Sequence, residues 1–157
     1  MASLKGYQAA AERAARKLGV LDTVVVRWHG GVCRIAHKRV GAHIHTGDWK
    51  GLRRGTICIK RGLRGKAMDW MAHEVAHLVV PAGGNHHGKK AFVAAIAAVQ
   101  PKSRTAVYAR QIGAVPHQHR WRALYSIGSN KSQARRVRVA EKCKGCNQTR
   151  ERLYIRA

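Results

Sequence analysis

The chain has 157 residues, which is enough for one compact domain with a hydrophobic core and a small appendage. Apolar residues make up 45% of the sequence, so we expect a folded chain rather than a disordered one. The sequence has no apolar run approaching the roughly 18 residues that a membrane-spanning helix needs, and it therefore predicts no membrane span.

The charge balance is strongly basic. The sequence contains 31 Lys and Arg against 7 Asp and Glu, a formal net charge of +24. Such a charge repels itself in a compact chain, and a polyanionic partner such as nucleic acid relieves that repulsion. The first residues lack the apolar stretch and cleavage site of a secretory signal. We therefore expect a cytoplasmic, nucleic-acid-associated protein.

The amino-terminal part predicts a helix followed by a small sheet. Apolar residues at three- and four-residue steps indicate a helix over residues 7–18, which Gly19 ends. Residues 43–50 are typical of a loop. His43 and His45 in that loop could bind a metal, but exposed loop histidines are the commoner case. Runs of β-branched and apolar residues predict strands at residues 24–28, 32–36 and 56–60.

A helical region follows the predicted sheet. Apolar residues recur on one helical face over residues 66–80, and the Pro- and Gly-rich residues 81–84 break this helix. The same spacing predicts further helices over residues 88–99 and 104–112.

The character of the sequence changes near residue 115, where short alternating segments begin. We therefore predict an α+β fold with two domains, residues 1–115 and residues 116–157. Short half-buried strands in the second domain are predicted at residues 121–125, 136–140 and 150–156.

The clearest chemical motif is a His-Glu-x-x-His segment in the helix over residues 66–80. His73 and His77 are four residues apart, so on a helix both imidazoles lie on one face and can reach one metal. Glu74 lies beside that metal without binding it and can move a proton from a metal-activated water to a leaving group. The motif therefore predicts a catalytic zinc site with His73 and His77 as ligands and Glu74 as the catalytic residue.

A catalytic zinc needs a third protein ligand, and the sequence limits the choice. No Glu occurs between Glu74 and Glu141, and Asp69 is the last Asp, so a carboxylate ligand downstream is nearly excluded. The remaining candidates are imidazoles: His86, His87, His117 and His119. The first two follow a glycine-rich turn that returns the chain to the metal promptly, and the residues alone leave both open.

Two segments of this chain resemble the core of the SprT-like zinc metallopeptidases: HEVAH at residues 73–77 and HGKKAF at residues 87–92. The resemblance implies a zincin-like domain, His87 as the third zinc ligand and Phe92 as a core aromatic. The spacing to Phe92 is one residue longer than usual in the family, which keeps His86 as an alternative. The resemblance to this family also implies a zinc metalloendopeptidase that cleaves DNA-associated proteins.

The carboxy-terminal segment predicts a second, structural zinc site. Cys143 and Cys146 enclose a tight turn, and two thiolates at this spacing form half of a zinc site. His117 and His119 precede the first predicted strand, so the order of ligand pairs and strands is that of a zinc ribbon. SprT-like proteins often carry such a ribbon, commonly with cysteines in both pairs. By contrast, Cys33 and Cys58 lie in apolar runs and are interpreted as buried thiols.

Basic residues dominate the carboxy-terminal segment, with Trp121, Tyr125 and Tyr154 among them. Cations can neutralise phosphates and aromatic rings can stack on bases, although Trp121 fits the ribbon core better. We expect non-specific binding of nucleic acid, with DNA implied by the resemblance, and a protein substrate. The alternative hypothesis is a non-catalytic, basic nucleic-acid-binding protein with structural zinc sites.

Overall fold

We analysed a computed structural model, which describes residues 2–31, 33, 41–80, 86–127 and 136–155. These residues form an α+β fold with four α-helices and two three-stranded sheets. Within these ranges, none of the helices has the length and apolar character that crossing a bilayer requires. The predicted helix break at residues 81–84 lies outside the described residues.

The first helix, α1, spans Leu4–Leu18. It begins earlier than predicted because the Ser3 side chain accepts a hydrogen bond from the Gly6 N–H and caps the first turn. Gly19 ends it in the left-handed conformation with φ +65°, which favours glycine. One face of the helix is buried in the core through Tyr7 and a series of alanines.

The first sheet contains β1 (Val25–Trp28), β2 (Ala42–Ile44) and β3 (Thr56–Ile59) in the order β1-β3-β2. β1 runs parallel and β2 antiparallel to the central β3. The prediction of a loop over residues 43–50 was wrong at its start, because β2 pairs with β3 there. The strand predicted at residues 32–36 lies outside the described residues, except Cys33, which is not in a strand.

The helices cover one face of this sheet. α2 spans Ala67–Val79 and packs on α1, so that Ile57 and Ile59 of β3 share a core with Met71 and Val75. A short 3₁₀ turn, His86–Gly88, leads into α3 (Lys90–Val99) and then α4 (Arg104–Gln111). The alternation along β3 turns Cys58 to the opposite face, where it contacts Cys33 and Leu52.

The second sheet contains β4 (Trp121–Ile127), β5 (Arg136–Cys143) and β6 (Thr149–Ile155) in an antiparallel order β4-β5-β6. The three predicted strands are thus present: β4 and β5 extend further than predicted, and β6 begins one residue earlier. The Arg110 Nε of α4 donates a 2.6 Å hydrogen bond to the carbonyl oxygen of Gly145, which ties α4 to the turn between β5 and β6. The domain boundary near residue 115 stays a prediction.

Candidate metal centres

The structure brings together the side chains of His73, His77 and His87. Their metal-binding atoms all lie within 4.8 Å of one another. The four-residue step on α2 places the first two rings one turn apart, with centroids 5.1 Å apart, and the 3₁₀ turn carries His87 to 4.9 Å from the first ring. The side chain of the alternative ligand, His86, lies outside the described part of the structure.

Phe92 lies beneath these rings. Its ring centroid is 5.2 Å from that of His73, 4.8 Å from that of His77 and 5.1 Å from that of His87. The side chain is only 1% exposed, so it excludes water from one side of the imidazoles. Burial of Phe92 agrees with the expectation for a core aromatic.

Glu74 lies on α2 next to the imidazoles but is not part of the ligand group. It is buried, with 4% of its surface exposed, and its carboxylate accepts a hydrogen bond from the backbone N–H of Ile44 on the edge strand β2. Burial raises the pKa of Glu74 to about 7, while the Ile44 N–H opposes that shift by favouring the charged form.

A cleft of about 420 Å³ opens beside the imidazoles. His73, His87 and Phe92 line it on one side, and Arg104 and Tyr108 from the start and middle of α4 line it on the other. The sequence did not indicate this wall, because it depends on how α4 packs against α3. Both side chains are exposed, so they are available to a ligand in the cleft.

A second group contains the predicted ribbon ligands His117, His119, Cys143 and Cys146, whose metal-binding atoms also lie within 4.8 Å of one another. The Nε2 of His117 is 3.9 Å from the Sγ of Cys143, and the Nδ1 of His119 is 3.7 Å from the Sγ of Cys146. Both cysteines are completely buried and free of disulfides. The two pairs predicted from the sequence therefore meet in space.

The turn between β5 and β6 favours a thiolate. Burial alone would raise the pKa of Cys143, but the N–H groups of Gly145 and Cys146 donate to its sulfur, and the net effect lowers that pKa. A Cβ at Gly145 would lie 3.3 Å from the Cδ2 of His117, so the absence of a side chain lets the imidazole approach the turn. These features favour the thiolate of Cys143, whereas burial raises the pKa of Cys146.

A third group was not predicted from the sequence: Cys33, His43, His45 and Cys58, with all metal-binding atoms within 4.8 Å of one another. The two cysteines are buried, as expected, but they lie beside the two histidines. One signal was available, since a His-x-His pair places both rings on one face if the segment is a strand. The sequence analysis noted this pair as possible metal ligands but favoured exposed loop histidines, because β2 was predicted as a loop.

The second sheet carries three cations on one face, of which Arg122 and Arg138 are exposed and Lys142 is half-buried. Arg122 of β4 lies directly opposite Lys142 of β5, and Arg138 is on the same face of β5 by strand alternation. On the other face, Trp121 is stacked between His119 and the Arg150 guanidinium. The half-buried Trp121 therefore contacts neighbouring side chains of the sheet, while the zinc ribbon itself stays a prediction.

No family model matches this chain, no curated protein matches it, and no solved structure matches it. Three groups of Cys and His side chains could hold a metal ion, and their nitrogen and sulfur donors are compatible with zinc.

Proposed function

We propose that this chain is a zinc-dependent metalloendopeptidase of the SprT-like kind, which cleaves proteins on or near nucleic acid in the cytoplasm. The observation that carries the proposal is the convergence of His73, His77 and His87 within 4.8 Å, next to a buried Glu74. Three imidazoles are a donor set that zinc accepts in catalytic sites.

The number of ligands separates this group from the other two. Among the side chains that the structure describes, the group of His73, His77 and His87 offers three ligands, whereas each of the other groups offers four. Four protein ligands fill a tetrahedral zinc site, but three leave a position for water or substrate. The cleft beside His73 and His87 gives a substrate access to that position, which favours a catalytic role for this group alone.

Glu74 is the proton carrier in the proposed reaction. Zinc held by the three imidazoles would polarise the scissile carbonyl and acidify a water molecule. The Glu74 carboxylate accepts a proton from the attacking water and later delivers it to the nitrogen of the leaving amine. The Ile44 N–H orients the carboxylate, and Phe92 keeps water from the inner side of the imidazoles.

The charge arrangement supports a nucleic-acid partner. Like charges directly opposite each other in a sheet are destabilising, yet Arg122 faces Lys142 with Arg138 on the same face. A phosphate backbone that lies across this face would relieve the repulsion. Because the described residues present no recognition helix in this region, the contacts should be independent of sequence. DNA as the natural partner is part of the proposal.

The decisive experiment uses the zinc-loaded full chain and a protein crosslinked to a DNA oligonucleotide. We expect the wild type to cleave the crosslinked protein and Glu74→Gln to reduce cleavage by at least about 100-fold, the size of a lost general base. Zinc content and DNA binding should stay at wild-type levels. Cleavage is followed on gels and zinc by mass spectrometry.

Glu12→Gln is the matched control, since this glutamate is exposed on α1 and belongs neither to the cleft lining nor to the second sheet, so the change should not affect cleavage. If Glu74→Gln cleaves as fast as the wild type, or the zinc-loaded wild type cleaves nothing, the peptidase proposal is wrong. A wild-type chain that binds DNA and zinc but cleaves no protein would support the alternative hypothesis of a non-catalytic, basic nucleic-acid-binding protein with structural zinc sites.

The nucleic-acid part is tested by reversing charges. The double variant Arg122→Glu with Arg138→Glu should weaken binding of DNA of any sequence. The slope of the logarithm of the binding constant against the logarithm of salt concentration should fall by about 1 per lost phosphate contact. A second double variant, Lys5→Glu with Arg13→Glu on α1, changes the net charge by the same amount and serves as the control. Fluorescence anisotropy at several salt concentrations measures both. Equal losses in the two variants would mean that this face is not the binding surface.

A further inference from the structure

The third group of metal-binding side chains lies on the face of the first sheet opposite α1 and α2. His43 comes from β2, Cys58 from β3, His45 from just beyond β2, and Cys33 from the segment after β1. Strand alternation turns Ile57 and Ile59 to the helices and Cys58 away from them. The group is therefore separate from the imidazoles on α2 and from the carboxy-terminal ribbon.

We propose that Cys33, His43, His45 and Cys58 form a third, structural zinc site. The proposal is independent of the peptidase activity, because it rests on side chains that neither line the cleft nor belong to the group on α2. Two thiolates and two imidazoles are a donor set of closed zinc sites. With four protein ligands, the site has no open position and would stabilise the fold without taking part in catalysis.

The distances fit a shared ion. Zinc bonds of about 2.3 Å to sulfur and 2.0–2.1 Å to nitrogen at tetrahedral angles put sulfur and nitrogen ligands about 3.5 Å apart. The Sγ of Cys33 lies 2.9 Å from the Nε2 of His43 and 3.4 Å from the Nε2 of His45. The Sγ of Cys58 lies 3.7 Å from the Nε2 of His45. Both imidazoles thus turn the same ring nitrogen to the thiols.

Burial supports a metal at this place. Cys33 and Cys58 are 1% exposed and His45 is 6% exposed, so three of the four side chains are shielded from solvent. The cysteines are not joined by a disulfide. The Nε2 of His43 lies beside the Cys33 Sγ, so the ring presents that nitrogen to the group. Buried polar groups need partners, and a shared cation provides one for all four.

The apolar packing on this face is thin. The core on the helical side includes residues from both helices and all three strands, whereas Cys33 and Cys58 share a buried cluster only with Leu52 among the described residues. A zinc ion that joins β2, β3 and the segment after β1 would replace the missing hydrophobic stabilisation. Binding would release the two thiol protons to solvent, because cysteine coordinates as the thiolate.

Cobalt substitution tests this site in isolation. In the Cys143→Ser background the ribbon has lost a thiolate, so thiolate-to-cobalt absorption reports Cys33 and Cys58, together with Cys146 if it still binds. Adding Cys58→Ser should reduce that absorption by at least half and lower the bound zinc by one ion per chain. Adding Ile57→Val instead, a buried neighbour on the same strand whose side chain faces the helices, should leave both unchanged.

Several outcomes would overturn the proposal. Unchanged absorption and zinc content after Cys58→Ser would do so, as would a Cys33–Cys58 disulfide in mass spectra of the unreduced wild type. If Cys58→Ser does not fold, as judged by circular dichroism, His43→Ala at a half-buried position replaces it with the same expected loss of one zinc. Full zinc retention in His43→Ala would then refute four-ligand binding.

Discussion

The two sheets of this protein are of equal strand number but are stabilised by different interactions. The first sheet packs under α1 and α2, and its core includes large side chains such as Tyr7, Ile57, Met71 and Val75 with 1% exposure or less. In the second sheet, the buried apolar side chains among the described residues are Ala140, Cys143 and Cys146. Burial of apolar surface stabilises a fold in proportion to the area removed from water.

The second sheet therefore needs another source of stability, and its Cys and His group offers one. Its buried Glu141 is paired with Arg150 at 2.7 Å and accepts a hydrogen bond from Tyr154, but one partly exposed ion pair contributes little. We therefore propose that hydrophobic packing stabilises the first sheet and that a metal ion stabilises the second.

The largest effect is expected from Cys143→Ser. Structural zinc contributes about 10–16 kcal/mol to small zinc domains, so loss of a ligand should unfold β4–β6 while α1 and α2 stay folded. Hydrogen exchange with mass spectrometry measures protection in each segment. Lys144→Ser, an exposed position in the same turn, is the control and should retain protection. A fully protected second sheet in Cys143→Ser would show that metal is not what stabilises it.

A smaller but substantial effect is expected from Met71→Ala in the first core. Met71 is 0% exposed, and truncation of a buried methionine lowers the free energy of unfolding by about 2–5 kcal/mol. Urea denaturation followed by circular dichroism measures the change. Val79→Ala on the same helix, where the side chain is 41% exposed, should lower the free energy of unfolding much less. Equal costs at the two positions would contradict the packing described for α2.

The smallest effect is expected from Gly55→Ala, just before β3. Gly55 has φ +88°, and an added Cβ would lie 2.7 Å from the carbonyl oxygen of Thr23. Backbone strain of this kind costs about 1–3 kcal/mol. Gly47→Ala is the control, since nothing lies within 4 Å of its Cβ position and its φ is not positive. Thermal unfolding of both variants should show a lower midpoint for Gly55→Ala alone.

Local sequence signals predicted much of this structure. The four-residue step between His73 and His77 depends only on helical geometry, and the periodic apolar residues that predict α1 and α2 are equally local. The pairing of His117 and His119 with the Cys143–Cys146 turn was also predicted, because strands of similar length separate the two pairs. These features need little knowledge of how distant segments pack.

The features that were not predicted depend on long-range packing. β2 has three residues and becomes a strand only because β3 supplies its hydrogen-bond partners. Cys33 and Cys58 are 25 positions apart in the sequence without a recognisable spacing, and they meet because β1 and β3 are parallel neighbours. The wall formed by Arg104 and Tyr108 likewise depends on the packing of α4. Single-sequence patterns carry no information on such contacts.

The short strand β2 connects the two sides of the first sheet. Its Ile44 N–H holds the carboxylate of Glu74, and the adjacent His43 turns its ring to Cys33 on the far face. An edge strand of three residues has little rigidity of its own. If both proposals hold, the metal behind the sheet would take no part in the reaction itself, but it would fix β2 in place and thereby keep the Glu74 carboxylate in position.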